Sequence, residues 1–181
     1  MIRLNSKQLR DIDPVEVEEH VQQLKRNPIY LILENVYDTY NIGGIFRLAD
    51  ALAVSKIYLC GEMEIPPHHK IAKASVGTYK IVPWEYKETA KEAIEDLRKV
   101  DKIQILAVEQ SDNSVPYTQA QISFPTALLV GNETYGVLPE TLALVDQIVE
   151  IPMWGINKSL NVIVSAAIVS YWAASKLNSQ K

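Results

Sequence analysis

Short apolar runs alternate with amphipathic stretches along the chain, and this alternation predicts an α/β fold with a mostly parallel sheet flanked by helices. The apolar runs are rich in Ile, Val, Leu and Tyr, which is typical of strands that are buried on both faces. The predicted strands are residues 29–36, 56–60, 79–82, 104–108, 127–130 and 147–151.

Three longer stretches predict helices. Residues 42–53 follow Asn41, a good N-cap, and residues 89–99 place apolar side chains on one face and charges on the other. Residues 159–177 begin with Ser159, which is a natural N-cap. This last helix is too apolar all round to face water, so we expect it in the core or against another subunit.

The first 27 residues lack this alternation. Asp13-Pro14 predicts the start of a helix, because Asp caps helices and Pro suits their first turn. Asn27-Pro28 predicts the end of that helix before the first strand. We therefore divide the chain into an N-terminal helical appendage, residues 1–27, and one main domain, residues 28–181.

The composition fits one soluble domain. The 181 residues are 48% hydrophobic and 22% charged, which suffices for a sizeable core. The single cysteine, Cys60, excludes internal disulfides and cysteine-based zinc sites and fits a reducing compartment. The longest apolar run, residues 160–174, is interrupted by polar side chains and is shorter than the roughly 20 residues of a membrane span. We expect a cytoplasmic protein with no membrane partner.

The net charge of −4 is unevenly distributed. Residues 103–157 contain six acids and no Lys or Arg, so this part is not expected to meet phosphates. Residues 66–84 contain no acid, and their basic side chains are Lys70, Lys73, Lys80, His68 and His69. A polyanion is expected to bind there, and the alternative is a solvated loop. Within residues 66–84 no acid or cysteine completes a ligand set with the two histidines, so no metal site is expected.

Three glycine-containing segments follow predicted strands, at the sheet edge where ligands of open α/β folds bind. The first, NIGGIFR at residues 41–47, opens a helix with two glycines, which allow close backbone approach, and places Arg47 among apolar neighbours. A guanidinium there indicates an anion or substrate contact, or alternatively an ion pair with Asp50.

The second segment, LLVGNETYG at residues 128–136, matches neither a Walker phosphate loop nor the G-x-G-x-x-G of a dinucleotide site. Its Glu133 is a candidate for holding a hydroxyl or an arginine, or is a plain loop acid. The third segment, IPMWGINKSLNV at residues 151–162, contains Ser159 and Asn161. Asn161 opens a buried helix, where its side-chain amide needs hydrogen-bond partners.

Taken together, in this order and spacing, the three segments resemble the motifs of the SpoU (TrmH-type) branch of the SPOUT RNA methyltransferases. NIGGIFR is similar to N-x-G-x-x-x-R, LLVGNETYG to a strand followed by G-x-E-x-x-G, and IPMWGINKSLNV to I-P-M-x-G-x-x-x-S-L-N-V. KASVGT, at residues 73–78, also resembles the K-x-S-x-G stretch common in these enzymes. The resemblance covers residues 28–175, without the family's separate RNA-binding domains.

The resemblance implies a SPOUT-type knotted fold with a deep C-terminal trefoil knot, a homodimer, and methyl transfer from S-adenosylmethionine to a ribose 2'-hydroxyl of tRNA or rRNA. The catalytic residues that it implies are Arg47, Asn41, Glu133, Ser159 and Asn161. The residues implied for the cofactor are Leu129, Gly131, Ile151, Met153 and Leu160. RNA binding is expected at Arg47, Lys70, Lys73 and Lys80, and no metal is expected.

Two roles for Arg47 fit the sequence. In the family its counterpart is proposed to activate the 2'-hydroxyl, but an arginine almost never loses its proton in a protein. We prefer a role in which Arg47 binds the neighbouring phosphate and stabilises the forming alkoxide, while the proton passes to phosphate or water. The alternative function is an RNA-binding or assembly factor without transfer activity, which predicts damaged motifs, whereas all three are intact.

Overall fold

A parallel sheet forms the centre of the computed structural model, which describes residues 4–179. Its strands are β1 (Asn27–Glu34), β2 (Val54–Cys60), β3 (Trp84–Lys87), β4 (Gln104–Val108), β5 (Val115–Pro116), β6 (Thr126–Val130) and β7 (Gln147–Glu150). They lie in the order β3-β2-β1-β6-β4-β7-β5, and neighbouring strands of this sheet pair in parallel. The predicted α/β fold with a mostly parallel sheet is confirmed.

Helices cover both faces of the sheet. They are α1 (Ser6–Asp11), α2 (Pro14–Gln23), α3 (Thr39–Ala51), α4 (His69–Ser75), α5 (Ala90–Leu97), α6 (Pro139–Leu142) and α7 (Val162–Ser179). One core cluster packs α3 and α7 against Leu31 and Leu33 of β1, and the other packs α5 against Ile32. Successive side chains of β1 thus pack on opposite faces of the sheet. Among the helices of residues 4–179, none is long and apolar enough to cross a membrane.

The carboxyl ends of the central strands reach the same edge of the sheet. β6 lies between β1 and β4, and its last residue, Val130, is opposite Leu33 of β1. β7 lies next to β4, with Val149 opposite Val108. The loops that follow β1, β4, β6 and β7 therefore meet beyond this edge, and all three glycine-containing segments lie there.

The predicted strand at residues 79–82 was wrong. Thr78–Lys80 forms a short 3-10 helix instead, and the strand in this region is β3, which begins at Trp84 and pairs with β2. Gly77 starts the turn with a φ of +92°, and a β carbon there would collide with the backbone of Leu9. The aromatic and β-branched residues after Gly77 therefore pack through a turn and not through a strand.

The predicted N-cap of α3 was also wrong. The helix starts at Thr39, and the carboxylate of Asp38 accepts a hydrogen bond from the Tyr40 amide at 2.8 Å. Asn41 consequently lies inside the first turn, where its side chain is available for contacts with other segments.

The start of α7 differs from the prediction in the same way. This helix begins at Val162, three residues after Ser159. The side-chain oxygen of Asn161 accepts from the amide of Ile163 at 2.8 Å. The side chain of Asn161 therefore caps one amide in the first turn of α7. The predicted capping role of Ser159 was wrong.

Two helices, α1 and α2, precede the sheet. The sequence predicted the start of α2 at Pro14 but missed α1, whose Asn5 and Gln8 form a reciprocal capping box. The backbone of Leu9 lies against Gly77, so α1 packs on the segment that follows α4. The division into residues 1–27 and 28–181 stays a prediction, and its ends, residues 1–3 and 180–181, lie outside the described residues.

Candidate active site

A cavity of about 240 Å³ opens at the carboxyl edge of the sheet, beyond β4, β6 and β7. Residues 108–110, 130–136 and 158–160 form most of its wall, together with Glu150, Ile151 and Met153. The second and third glycine-containing segments therefore enclose one space, as expected for loops at the carboxyl ends of adjacent parallel strands.

Four of the five residues predicted to bind the cofactor line this cavity, namely Gly131, Ile151, Met153 and Leu160. Leu129 is fully buried in β6 and packs in the core cluster on the α5 side. Adjacent residues of a strand point to opposite faces, which explains why Val130 and not Leu129 reaches the wall.

The loop after β6 is closed by its own hydrogen bonds. The backbones of Asn132 and Gly136 pair in both directions at 3.0 Å. The side-chain oxygen of Asn132 accepts from the amides of Thr134 and Tyr135 at 2.8 and 2.9 Å. A β carbon at Gly131 would overlap the backbone at Gly136, so this close approach requires glycine.

Glu133 reaches from this loop to the start of α3. Its carboxylate accepts hydrogen bonds from the Tyr37 amide (3.3 Å), the Asp38 amide (3.2 Å) and the side-chain amide of Asn41 (2.8 Å). Burial alone would raise the pKa of Glu133, but these hydrogen bonds, led by that of Asn41, outweigh it and lower the pKa below its ordinary value. The carboxylate is therefore ionised at neutral pH and engaged by donors.

Asn41 connects this carboxylate to the third segment. Its side chain is buried, and Oδ1 accepts from Nδ2 of Asn161 at 3.0 Å. Asn161 is exposed as a whole, yet its amide has the partners that the sequence required. A chain of hydrogen bonds, Glu133–Asn41–Asn161, thus joins all three glycine-containing segments, although Asn41 and Asn161 are 120 residues apart in the sequence.

Ser159 lies on the wall of the cavity and is exposed. Its amide donates to Oδ1 of Asn157 at 3.2 Å, and its hydroxyl makes only a long contact of 3.5 Å with the same oxygen. A hydroxyl held this weakly can turn toward a bound molecule.

Arg47 is exposed on α3 and does not belong to the cavity wall. Within residues 4–179 its guanidinium forms no hydrogen bond or ion pair. The alternative partner, Asp50, interacts with Arg26 instead; burial raises the pKa of Asp50, and the charge of Arg26 opposes that rise. The structure therefore leaves the Arg47 side chain available for an external anion.

The two glycines before Arg47 let other helices approach α3 closely. A β carbon at Gly44 would overlap the side chain of Ile163 in α7, and one at Gly43 would collide with Ala74 and Ser75 of α4. The predicted close approach at these glycines is therefore made by neighbouring helices.

The three lysines predicted to bind RNA are exposed and lie away from the cavity wall. Lys73 and Lys80 line a second, open cleft together with Arg10 of α1 and Tyr79. The ammonium of Lys80 donates to the carbonyl oxygen of Arg10 at 2.7 Å. The structure thus combines a basic residue of α1 with two basic residues of the segment 73–80 in one cleft, while Lys70 lies in the first turn of α4.

Two carboxylates that the sequence analysis missed support the loop after β6. Glu109 accepts from the Val137 amide at 2.9 Å, and Glu34 accepts from the Leu138 amide (2.8 Å) and the Thr141 hydroxyl (2.6 Å). Burial raises the pKa of Glu34, against the effect of these two hydrogen bonds. Both acids stand at or just after the end of a buried strand, which is the signal that drew attention to Glu133.

Comparison with known proteins identifies the family. The family model described as "SpoU rRNA Methylase family" matches residues 28–171, which is most of the chain. The chain belongs to this SpoU family.

A curated relative, the tRNA (guanosine(18)-2'-O)-methyltransferase of Escherichia coli K12, is 34% identical over 153 residues, which cover 82% of this chain and 64% of the relative. The chain thus spans less than two thirds of that relative's length. The AdoMet-bound rRNA methyltransferase of Sinorhizobium meliloti is 29% identical, with a TM-score of 0.77 over 93% of this chain and 60% of that one. The Aquifex aeolicus TrmH/SpoU tRNA modifying enzyme is 27% identical, with a TM-score of 0.78 over 91% and 86%.

Proposed function

We propose that this SpoU family member transfers a methyl group from S-adenosylmethionine to a ribose 2'-hydroxyl of tRNA or rRNA. The observation that carries the proposal is the hydrogen-bonded chain Glu133–Asn41–Asn161, which unites the three family motifs beside one cavity. The names of the tRNA and rRNA methyltransferases to which the chain is similar support the substrate class. The intact arrangement argues against an RNA-binding factor without transfer activity.

The residues that line the cavity support the binding of S-adenosylmethionine. Three apolar side chains of its mixed wall, Ile151, Met153 and Leu160, offer a surface on which a purine can pack. Glu109 and Glu133 on the same wall favour a cationic ligand. We assign cofactor binding to Gly131, Ile151, Met153 and Leu160 on the wall, and to Leu129 as a buried support beneath it.

When bound, S-adenosylmethionine supplies an electrophilic methyl group on a sulfonium. The residues of the chain must then align the hydroxyl with this group and help to remove its proton. Glu133 is a weak base, because its pKa is lowered and three donors engage it, so we assign it, with Asn41 and Asn161, to holding the motif loops in place. Ser159, on the wall, is assigned to contact the reacting nucleotide.

Arg47 is assigned to the phosphate next to the reacting ribose. A guanidinium binds phosphate at two points and remains charged, so it also stabilises the alkoxide that forms as the proton passes to phosphate or water. Its exposure and its lack of a partner within residues 4–179 support this role.

The decisive experiment is to incubate the protein and labelled S-adenosylmethionine with total RNA from cells that lack this gene, and then to map the methylated ribose. Labelled 2'-O-methyl nucleotides in tRNA or rRNA are expected. RNA that is bound but never methylated would instead identify an assembly factor.

S-adenosylmethionine binding is expected to need no metal. Among the described residues, no group of three or more His, Cys, Asp and Glu side chains is arranged to hold an ion. Calorimetry with and without a chelator should give the same dissociation constant. Loss of binding in the chelator would contradict this prediction.

RNA is expected to approach from the side of Lys70 and Lys73. Charge reversal at both lysines should weaken RNA binding and lower the slope of log affinity against log salt by about two, because each phosphate contact contributes about one. The matched control is Lys91→Glu, since Lys91 is an exposed lysine of α5 on the opposite face of the sheet. An unchanged slope in the double variant would show that RNA binds elsewhere.

We also propose a homodimer that pairs the exposed side of α7 with that of α3. Val164 and Tyr171, two turns apart on α7, and Tyr40 on α3 are each 44% to 55% exposed, and a second copy of the chain would cover them. Light scattering at micromolar concentration should give the mass of two chains, and Val164→Glu should lower it. Tyr86→Glu, on β3, is the matched control. An active monomer would contradict the proposal.

We further propose that residues 28–181 form the catalytic domain with a deep C-terminal trefoil knot, that residues 1–27 are its appendage, and that the protein is cytoplasmic. The likeness to solved SpoU enzymes supports the fold of the domain. The insertion of β6 between the earlier strands β1 and β4 is compatible with a chain that crosses its own path.

A further inference from the structure

Two highly exposed aromatic side chains belong to the loops that form the rim of the cavity. Tyr135, in the loop after β6, lines the cavity and is 79% exposed. Trp154, in the loop after β7, follows the cavity residue Met153 and is 92% exposed. The two rings therefore belong to different loops, and both loops line the same cavity.

Trp154 is the most exposed of the three tryptophans. The other tryptophans are partly buried and contact aromatic neighbours, Trp84 with Phe46 at 6.4 Å and Trp172 with Tyr117 at 5.9 Å between ring centroids. A β carbon at the adjacent Gly155 would have no neighbour within 4 Å, so the backbone here projects into open space. Packing of the described chain thus gives Trp154 no partner.

The charge around the opening favours an uncharged partner surface. Glu109, Glu133 and Glu150 lie on the cavity wall, against one basic side chain, Lys158. Carboxylates repel phosphates, so the phosphates of a bound RNA are expected to lie off this wall, where Arg47 is assigned to bind one. The face of a nucleobase carries no such charge, and it stacks on aromatic rings with a free energy of about 1–3 kcal/mol per base.

We propose that Tyr135 and Trp154 form a stacking platform for unpaired nucleobases of the RNA substrate, at or beside the methylated nucleotide. This inference rests on the proposed function, because a ribose that reacts at this cavity brings its own base and its neighbours against the rim. Both faces of a base in a duplex are already stacked, so the platform selects RNA in which bases near the target are unpaired.

Binding of a labelled RNA stem-loop with an unpaired loop, and of the same strand annealed to its complement, tests the proposal. Trp154→Ala is expected to weaken stem-loop binding about five- to hundredfold and to change duplex binding little. Trp154→Phe should retain most of the affinity, because phenylalanine still stacks. Stem-loop RNA should also quench tryptophan fluorescence in the wild type and much less in Trp154→Phe.

The matched control is Tyr86→Ala, which removes an exposed aromatic ring on β3, three strands from β6. It should bind stem-loop RNA like the wild type, and no variant should alter S-adenosylmethionine affinity. Unchanged stem-loop binding in Trp154→Ala, beside a wild type that binds and methylates RNA, would overturn the platform alone. A lower assembly mass in Trp154→Ala would also overturn it, because the ring would then lie between two copies of the chain. Absence of methylation in the wild type would overturn the proposed function itself.

Discussion

Replacing Arg47 with alanine is expected to cut methyl transfer by at least about a hundredfold, a loss of roughly 2.7 kcal/mol of transition-state stabilisation. The guanidinium is exposed and, within the described part of the chain, makes no hydrogen bond or ion pair whose loss would weaken the fold. Folding and S-adenosylmethionine affinity should therefore change little. Single-turnover rates with saturating cofactor and RNA measure the effect.

Arg47→Lys should restore little activity, because an ammonium cannot make the planar two-point contact of a guanidinium with phosphate. Lys91→Ala, which removes an exposed cation of α5, is the matched control and should react at the wild-type rate. If Arg47→Ala transfers methyl within a few-fold of the wild type, the proposed phosphate-binding role is contradicted.

The central strands were predictable because they are buried on both faces. β1, β4 and β6 each carry an unbroken apolar run, and their positions differ from the prediction by at most two residues. β3 was not predicted, because half of its sequence, WEYK, is charged. Charged residues are tolerated in β3 because it lies at the edge of the sheet. The apolar run just before it forms a turn instead, since Gly77 meets the backbone of Leu9, and no local pattern reveals that distant contact.

The motif segments were predictable as a group, but the partners of their side chains were not. Strand ends in a parallel sheet share an edge, which was enough to place Glu133 near the first and third segments. Asn41 resembled an N-cap because Asn favours that position, yet Asp38 caps the helix and Asn41 is buried against Asn161, 120 residues away. Glu34 lies in a strand as predicted, but its supporting role was missed for the same reason, because its donors follow more than 100 residues later.

The tight turn at Gly131 leads to the second large effect. Gly131→Ala is expected to weaken S-adenosylmethionine binding by at least about thirtyfold, roughly 2 kcal/mol. A β carbon there would overlap the backbone at Gly136, so the loop that forms the cavity wall must move. Overpacking of this kind should also lower the free energy of unfolding by about 1–3 kcal/mol. Calorimetry of cofactor binding and denaturant unfolding measure the two effects separately.

Gly155→Ala is the matched control for Gly131→Ala. It adds the same methyl group to another loop at the cavity, but its β carbon would meet no atom within 4 Å, and its backbone does not have a positive φ. Cofactor affinity and stability should therefore stay at wild-type values. Because Glu109 and Glu34 hold the amides just after Gly136, the loop cannot shift at Gly131 without straining those hydrogen bonds. Wild-type cofactor affinity in Gly131→Ala would show that the loop after β6 can move without affecting the cofactor, and that this loop does not shape the cofactor site.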